Sequence, residues 1–211
     1  MKINLVKFLV SFVLISCHNR SLDNLPSHSM AEIDTSKTPQ KNMMLDNKLT
    51  LAIDPANLGE LITTVQFNVQ VKNKDKGDLL PYISLENPDS EIDRLVEPDE
   101  LVVPYKVVTL VIDYPLDNAA TFEVRSTGDG FTRRQLAKAI SEKYHLIYKE
   151  EEASAIKKVI NQDKREGVIN RNDTDGKYGI WGHDLSDLDL STIEVYRGKD
   201  DKIYLSLQIE S

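Results

Sequence analysis

The chain has 211 residues, of which 40% are hydrophobic, 7% aromatic and 28% charged. That length and apolar content suit one packed domain, at most two, and exclude wholesale disorder and collagen-like or coiled-coil compositions. The formal net charge of −8 argues against a nucleic-acid binder, which needs clustered cations to displace phosphate counterions. The single cysteine excludes an intrachain disulfide and a cysteine-based zinc cluster.

Residues 1–16 read MKINLVKFLVSFVLIS. Lys2 and Lys7 form a cationic start, and Phe8 to Ile15 is an apolar run broken only by Ser11. A membrane-spanning helix needs about 20 apolar residues. This run is less than half that, which predicts a signal-peptide core and not a span. The segment Leu14-Ile15-Ser16-Cys17 resembles the lipobox of bacterial lipoproteins, with Ile15 where Ala is commoner. The resemblance covers this N-terminal segment alone. It implies that the cysteine receives a thioether-linked diacylglycerol, that cleavage falls between Ser16 and Cys17, and that the new amino group is acylated in turn. Two or more acyl chains anchor a protein stably, each buried CH₂ contributing about 0.8 kcal/mol. Loss of residues 1–16 removes two lysines and no acids, taking the formal charge from −8 to −10. Anionic lipid repels such a body, so acyl chains must hold it to the membrane.

Residues 17–48 are expected to be the lipidated cysteine and a tether. The stretch 18–44 is rich in Ser, Asn, Asp, Thr and Lys, with two prolines and no sustained apolar period. As a flexible chain it would span about 25–30 Å. His18 and His28 lie in it and read as solvated linker residues.

A single α+β domain with an antiparallel sheet is expected over 49–211. Val65, Phe67, Val69 and Val71 alternate with polar residues, the period of a half-buried strand. Lys72 to Asp78 reads as a turn, Leu79 to Leu85 as a second strand, and 86–100 as an irregular acidic stretch. Lys106–Tyr114 and Ala120–Arg125 read as antiparallel neighbours joined through Pro115-Leu116-Asp117-Asn118. Thr132 with Gln135 forms a capping box, and Phe131 with Leu136 a hydrophobic staple. These signals predict a helix over about 132–150. Leu136, Ala139, Ile140, Tyr144 and Ile147 share its apolar face. The same phase puts Glu150 and Glu151 on the buried side and swings Ile156, Val159 and Ile160 away. The helix must therefore break near 150–153 or continue to 164 against something else. Ser191–Arg197 and Lys202–Ile209 predict a C-terminal hairpin around Gly198-Lys199-Asp200-Asp201.

Chemistry-bearing residues concentrate in 173–189, DTDGKYGIWGHDLSDLD. It holds the only tryptophan, Trp181, with His183 and the candidate metal ligands Asp173, Asp175, Asp184, Asp187 and Asp189. Ca²⁺ is the ion such oxygens would suit. An EF-hand register fails, however, because Arg171 and Gly182 fall where the first and last ligands belong. The structural alternative is a glycine-rich loop, with Gly176, Gly179 and Gly182 around a buried Trp181. His183 is the candidate catalytic residue, but it cannot be oriented by its neighbour Asp184, since adjacent side chains diverge. No G-x-S-x-G elbow, P-loop, dinucleotide fingerprint or HExxH occurs, and no motif asks for a cofactor. Residues 78–117 carry ten acids against Arg94 and Lys106, either a solvated face or a docking surface for a basic partner. Arg133, Arg134 and Lys138 open the helix and read as balanced by Glu142 and Glu150–Glu152.

FTRRQLAKAISEKY followed by YGIWGHDLSDLDL resembles a recurring pattern in a family of uncharacterised proteins. It marks Phe131–Leu190 as that family's core and implies no mechanism. The sequence is read as an exported lipoprotein of the bacterial cell envelope that acts by binding. Its expected partners are membrane lipid, through acylated Cys17, and an envelope protein with a basic surface. The rivals are a hydrolase or metal-dependent protein using His183 and the Asp173–Asp189 cluster, and an immunity- or inhibitor-type lipoprotein.

Overall fold

The computed structural model describes residues 57–72, 78–167 and 170–211. The export signal, Cys17, the tether and the expected start of the body at Leu49 lie outside the described residues. Among the described residues there are ten strands and one α-helix, and no helix is long and apolar enough to cross a membrane.

The strands are β1 (Glu60–Gln66), β2 (Val69–Gln70), β3 (Leu79–Leu80), β4 (Ile83–Ser84), β5 (Leu101–Val103), β6 (Val107–Ile112), β7 (Ala120–Arg125), β8 (Phe131–Thr132), β9 (Asp189–Arg197) and β10 (Ile203–Glu210). The helix α1 is Arg133–Ser154. The main sheet has the order β1-β9-β10-β6-β7, with β4 against the start of β9. Two small ladders, β2–β3 and β5–β8, stand apart from it.

The α+β class and the C-terminal hairpin hold, and the expected antiparallel sheet is corrected at one place. β10 runs parallel to β6, pairing Leu205 with Leu110, while the other ladders are antiparallel. The hairpin inserts its second arm beside β6. The long connection through α1 between them leaves the direction free, where a tight turn would have fixed it.

The alternating run at 65–71 is divided between two sheets. Val65 closes β1 on the core side, Phe67 donates its N–H to Ser191 at 2.9 Å, and Val69 starts β2. All three are buried, so the period survives although the strand does not. The run 79–85 likewise supplies two short strands, β3 and β4, in place of one.

Thr132 caps α1 with the full capping box: its hydroxyl accepts from the Gln135 N–H and the Gln135 side chain accepts from the Thr132 N–H. Leu136, Ile140, Tyr144 and Ile147 join Leu110, Ile112, Ile193, Val195, Leu205 and Leu207 in one core. Full burial of such side chains contributes about 1.5–3 kcal/mol each. The helix does not continue to 164. It stops at Ser154, and the Asp175 carboxylate accepts from the N–H groups of Ile156 (2.9 Å) and Lys157 (2.7 Å). Those donors are thereby taken from the next helical turn. Ile156 is 90% exposed.

The opposite face of the sheet carries two cross-strand rows, Leu61–Tyr196–Tyr204–Thr109–Glu123 and Thr64–Glu194–Ser206–Val111–Thr121. All but Val111 are exposed or half-buried.

The acidic segment wraps the start of α1. Arg134 pairs with Asp99 and Asp93, and Lys138 with Asp89. Arg133, only 12% exposed at its side chain, pairs with Glu100 at 2.8 Å. These cations are therefore answered by 86–100 and not, as expected, by the helix's own glutamates; Glu150 pairs with Lys177 and Glu152 with Lys158. Pro98 and Glu100 also supply carbonyls to the N–H groups of Arg134 and Arg133, which have no intrahelical acceptor.

Candidate functional site

The segment 171–189 packs against the end of α1 and the loop after β6. Its anchor is Glu151, fully buried on the last turn of α1. One carboxylate oxygen accepts the Gly176 N–H at 2.8 Å, and the other accepts those of Tyr178 at 2.8 Å and Gly179 at 3.2 Å. Burial raises the Glu151 pKa. The Thr174 hydroxyl and the N–H groups of Tyr178, Gly176 and Gly179 outweigh it and hold the carboxyl below 4.5, its ordinary value. Gly176 permits this approach, since a Cβ there would lie 2.7 Å from the Glu151 carboxyl carbon. Gly179 has φ +65°, a left-handed conformation.

Beyond this latch Ile180 is fully buried and Tyr178 nearly so, whereas Trp181 is half-buried. The expectation of Trp181 as the buried anchor is corrected: its neighbour Ile180 takes that place, with its carbonyl accepting from Arg171 and Thr174. Trp181 instead meets Tyr114 edge-on at 5.0 Å between ring centres.

His183 is half-buried in the same aromatic group, 5.4 Å from the Tyr114 ring and 5.7 Å from Trp181. Its Nε2 lies 2.8 Å from the Tyr114 hydroxyl, which is also 2.8 Å from the Ser211 Oγ. The Tyr148 hydroxyl donates to the His183 carbonyl at 2.9 Å, and the Tyr144 hydroxyl to the Tyr114 carbonyl at 2.8 Å. Burial holds both of those hydroxyls well above the ordinary tyrosine value, so they stay protonated and act as donors. The Tyr114 hydroxyl thus bridges Ser211 and His183.

The five aspartates go to different places. Asp173 is exposed. Asp175 holds the N–H groups that follow α1. Asp184 forms a bidentate pair with Arg165 at 2.5 and 2.8 Å and lies 3.9 Å from Arg171. The Asp187 carboxylate accepts the Asp184 N–H at 2.9 Å, closing the short turn Leu185–Asp187. Asp189 is half-buried on β9, its pKa raised by burial and by Glu91 and Glu210. Among the described residues no group of three or more His, Cys, Asp or Glu side chains is placed to hold a metal ion.

Several members of this site carry no motif. Glu151 had a visible signal, an acid on the apolar phase of an amphipathic helix. Tyr114 and Tyr148 as partners of His183, and Arg165 and Arg171 as partners of Asp184, had none, because each contact joins distant segments. Cys17 lies outside the described residues. No protein-family model, curated protein or solved structure matches the chain.

Proposed function

We propose that the chain is an exported lipoprotein of the bacterial cell envelope, anchored through acyl chains on Cys17, whose body acts by binding another molecule. The observation that carries the anchoring is the conjunction of Lys2 and Lys7, an apolar run too short to span a bilayer, and the chain's only cysteine directly after it. Binding is favoured over catalysis by the employment of the chemistry-bearing side chains. Asp175, Asp184, Asp187 and Glu151 are occupied in holding 171–189 to α1, to the segment that follows α1 and to itself. The open face of the main sheet, with Tyr196, Tyr204, Glu194 and Glu123, supplies a surface for a partner.

The test is growth of the expressing bacterium with radiolabelled palmitate. Wild type should carry label and fractionate with membranes, and Cys17→Ala should carry none and accumulate as unprocessed precursor. Equal labelling of the two would sink the anchoring.

One observation favours a second reading, a hydrolase using His183: the Ser211–Tyr114–His183 run of hydrogen bonds. In that reading His183 is the base and Tyr114 positions it. Tyr114→Phe should then abolish turnover of an ester probe such as p-nitrophenyl acetate while leaving the fold intact. The binding reading expects no turnover by either protein.

A further inference from the structure

We propose that the outer edge of β1 receives an extended, cationic segment of a partner protein as an added strand. This deepens the binding reading above and rests on it.

Among the described residues β1 is the terminal strand of the main sheet, hydrogen-bonded on one side only, to β9. The direction of its backbone groups follows from two contacts. Phe67 donates inward to Ser191, whereas the Gln66 carbonyl points outward and accepts from the Arg133 Nε at 3.0 Å. Backbone groups alternate along an antiparallel strand. Val65 therefore faces β9, and Thr64 turns both its N–H and its carbonyl outward. Arg133 covers the edge at Gln66 and leaves it at Thr64.

The side chains repeat the pattern. Five of the first residues of β1, Glu60 to Thr64, are exposed, including Leu61 at 49% and Ile62 at 39%. Long apolar edges invite pairing, and proteins blunt them with lysine, proline or a covering element. No lysine or proline occurs between Leu61 and Val69.

A groove of about 570 Å³ runs along this edge, between Thr63–Gln66 and the strap from Val96 to Val102. Its floor offers Leu101, 49% exposed. The solvent-facing charges in it are acidic. The side chains of Glu97 and Glu100 are 69% and 50% exposed, against 12% for Arg133. That guanidinium is turned inward, donating to the carbonyls of Gln66, Val96 and Glu97 and to the Glu100 carboxylate at 2.8 Å, and Glu97, 4.0 Å from it, is the less engaged acid. A strand alternating apolar and cationic residues meets all three features: the backbone donor and acceptor at Thr64, the exposed apolar side chain of Leu101, and the carboxylate of Glu97. Strand addition of this kind takes affinity from the main chain and specificity from alternate side chains.

The test uses the purified full chain in detergent and a short fluorescein-labelled peptide of alternating lysine and valine, read by anisotropy. Saturable binding is expected, at least about tenfold weaker for the same peptide N-methylated at every second amide, the loss of one or two hydrogen bonds. Thr64→Pro should weaken binding similarly. It removes only an outward N–H, so the β1–β9 ladder keeps its bonds. Glu97→Gln should weaken binding by a smaller factor, and a peptide of alternating glutamate and valine should not bind. The N-methylated peptide keeps the proposal falsifiable should Thr64→Pro fail to fold. Equal binding of the methylated or the acidic peptide, or none by the cationic one, would overturn it. So would sedimentation showing a dimer of the wild-type chain that Thr64→Pro dissociates, because a second copy would then be the occupant. Palmitate labelling of Cys17 is read separately, so failure of the edge site is distinguishable from failure of the lipoprotein reading.

Discussion

The carboxylate of Glu151 accepts the N–H of Tyr178 at 2.8 Å, with both residues buried. This contact ties the last turn of α1 to the loop that carries Trp181, His183 and the aspartates. Glu151→Ala should leave the N–H groups of Gly176, Tyr178 and Gly179 without an acceptor in a buried setting. The expected cost is about 2–4 kcal/mol, read as a drop in the urea midpoint. A midpoint equal to wild type would show that the latch contributes nothing.

The same contact sets a pH dependence. The folded pKa of Glu151 lies below its ordinary 4.5. The carboxylate's contribution is therefore complete above the unfolded value and is lost as pH falls through the folded one. The stability gap between wild type and Glu151→Gln should be largest near neutrality and shrink in acid. A gap that is constant with pH would assign the effect to shape and not to charge.

Ile180 and Trp181 should differ in the order their exposures dictate. Ile180→Ala removes a fully buried side chain and should cost about 2–5 kcal/mol. Trp181→Ala removes a half-buried ring whose main aromatic contact is Tyr114, and should cost less than Ile180→Ala. Thermal melts of the two variants give the comparison, and a larger loss for Trp181→Ala would contradict the placement of Ile180 as the anchor.

Asp184 and Asp187 stand close in sequence and should respond differently. Asp184→Ala removes the carboxylate that pairs bidentately with the nearly buried Arg165 guanidinium, whose side chain is 5% exposed and which keeps its bond to the Ile160 carbonyl. Since Asp184 itself is partly exposed, the cost should be about 1–3 kcal/mol, less than for a fully buried pair. Asp187→Asn alters an exposed side chain and should change stability by about 0.5 kcal/mol or less. Melts in millimolar Ca²⁺ and in EDTA should coincide for wild type. A Ca²⁺-dependent rise in melting temperature that Asp187→Asn abolishes would reinstate the aspartates as a metal site.

What the sequence discloses is what local rules govern. Thr132 and Gln135 cap α1 because a capping box needs only its own turn, and β7, β9 and β10 show their period because one face of each is more deeply buried than the other. The outer part of β1 has no alternation to read, since Leu61 to Thr64 are exposed on both faces. The stop at Ser154 depends on Asp175, across a loop. The acids of 78–117 read as a solvated face or a docking surface, whereas the fold sets several of those in 86–100 against Arg133, Arg134 and Lys138. Composition singles out Trp181 as the buried aromatic, but which of two adjacent residues points inward is set by the path around Gly179. His183 is legible as a candidate but its partners are not, because Tyr114, Tyr148 and Ser211 reach it from three separate segments.

Everything proposed for the protein's location turns on Cys17 as the lipid-bearing first residue of the mature chain. Intact-mass spectrometry of the protein extracted from envelopes addresses it directly. The expected species is a chain beginning at Cys17, heavier than its amino-acid mass by a thioether-linked diacylglycerol and a further acyl group where the amine is modified. A chain that still begins at Met1 and carries a free thiol at Cys17 would contradict it.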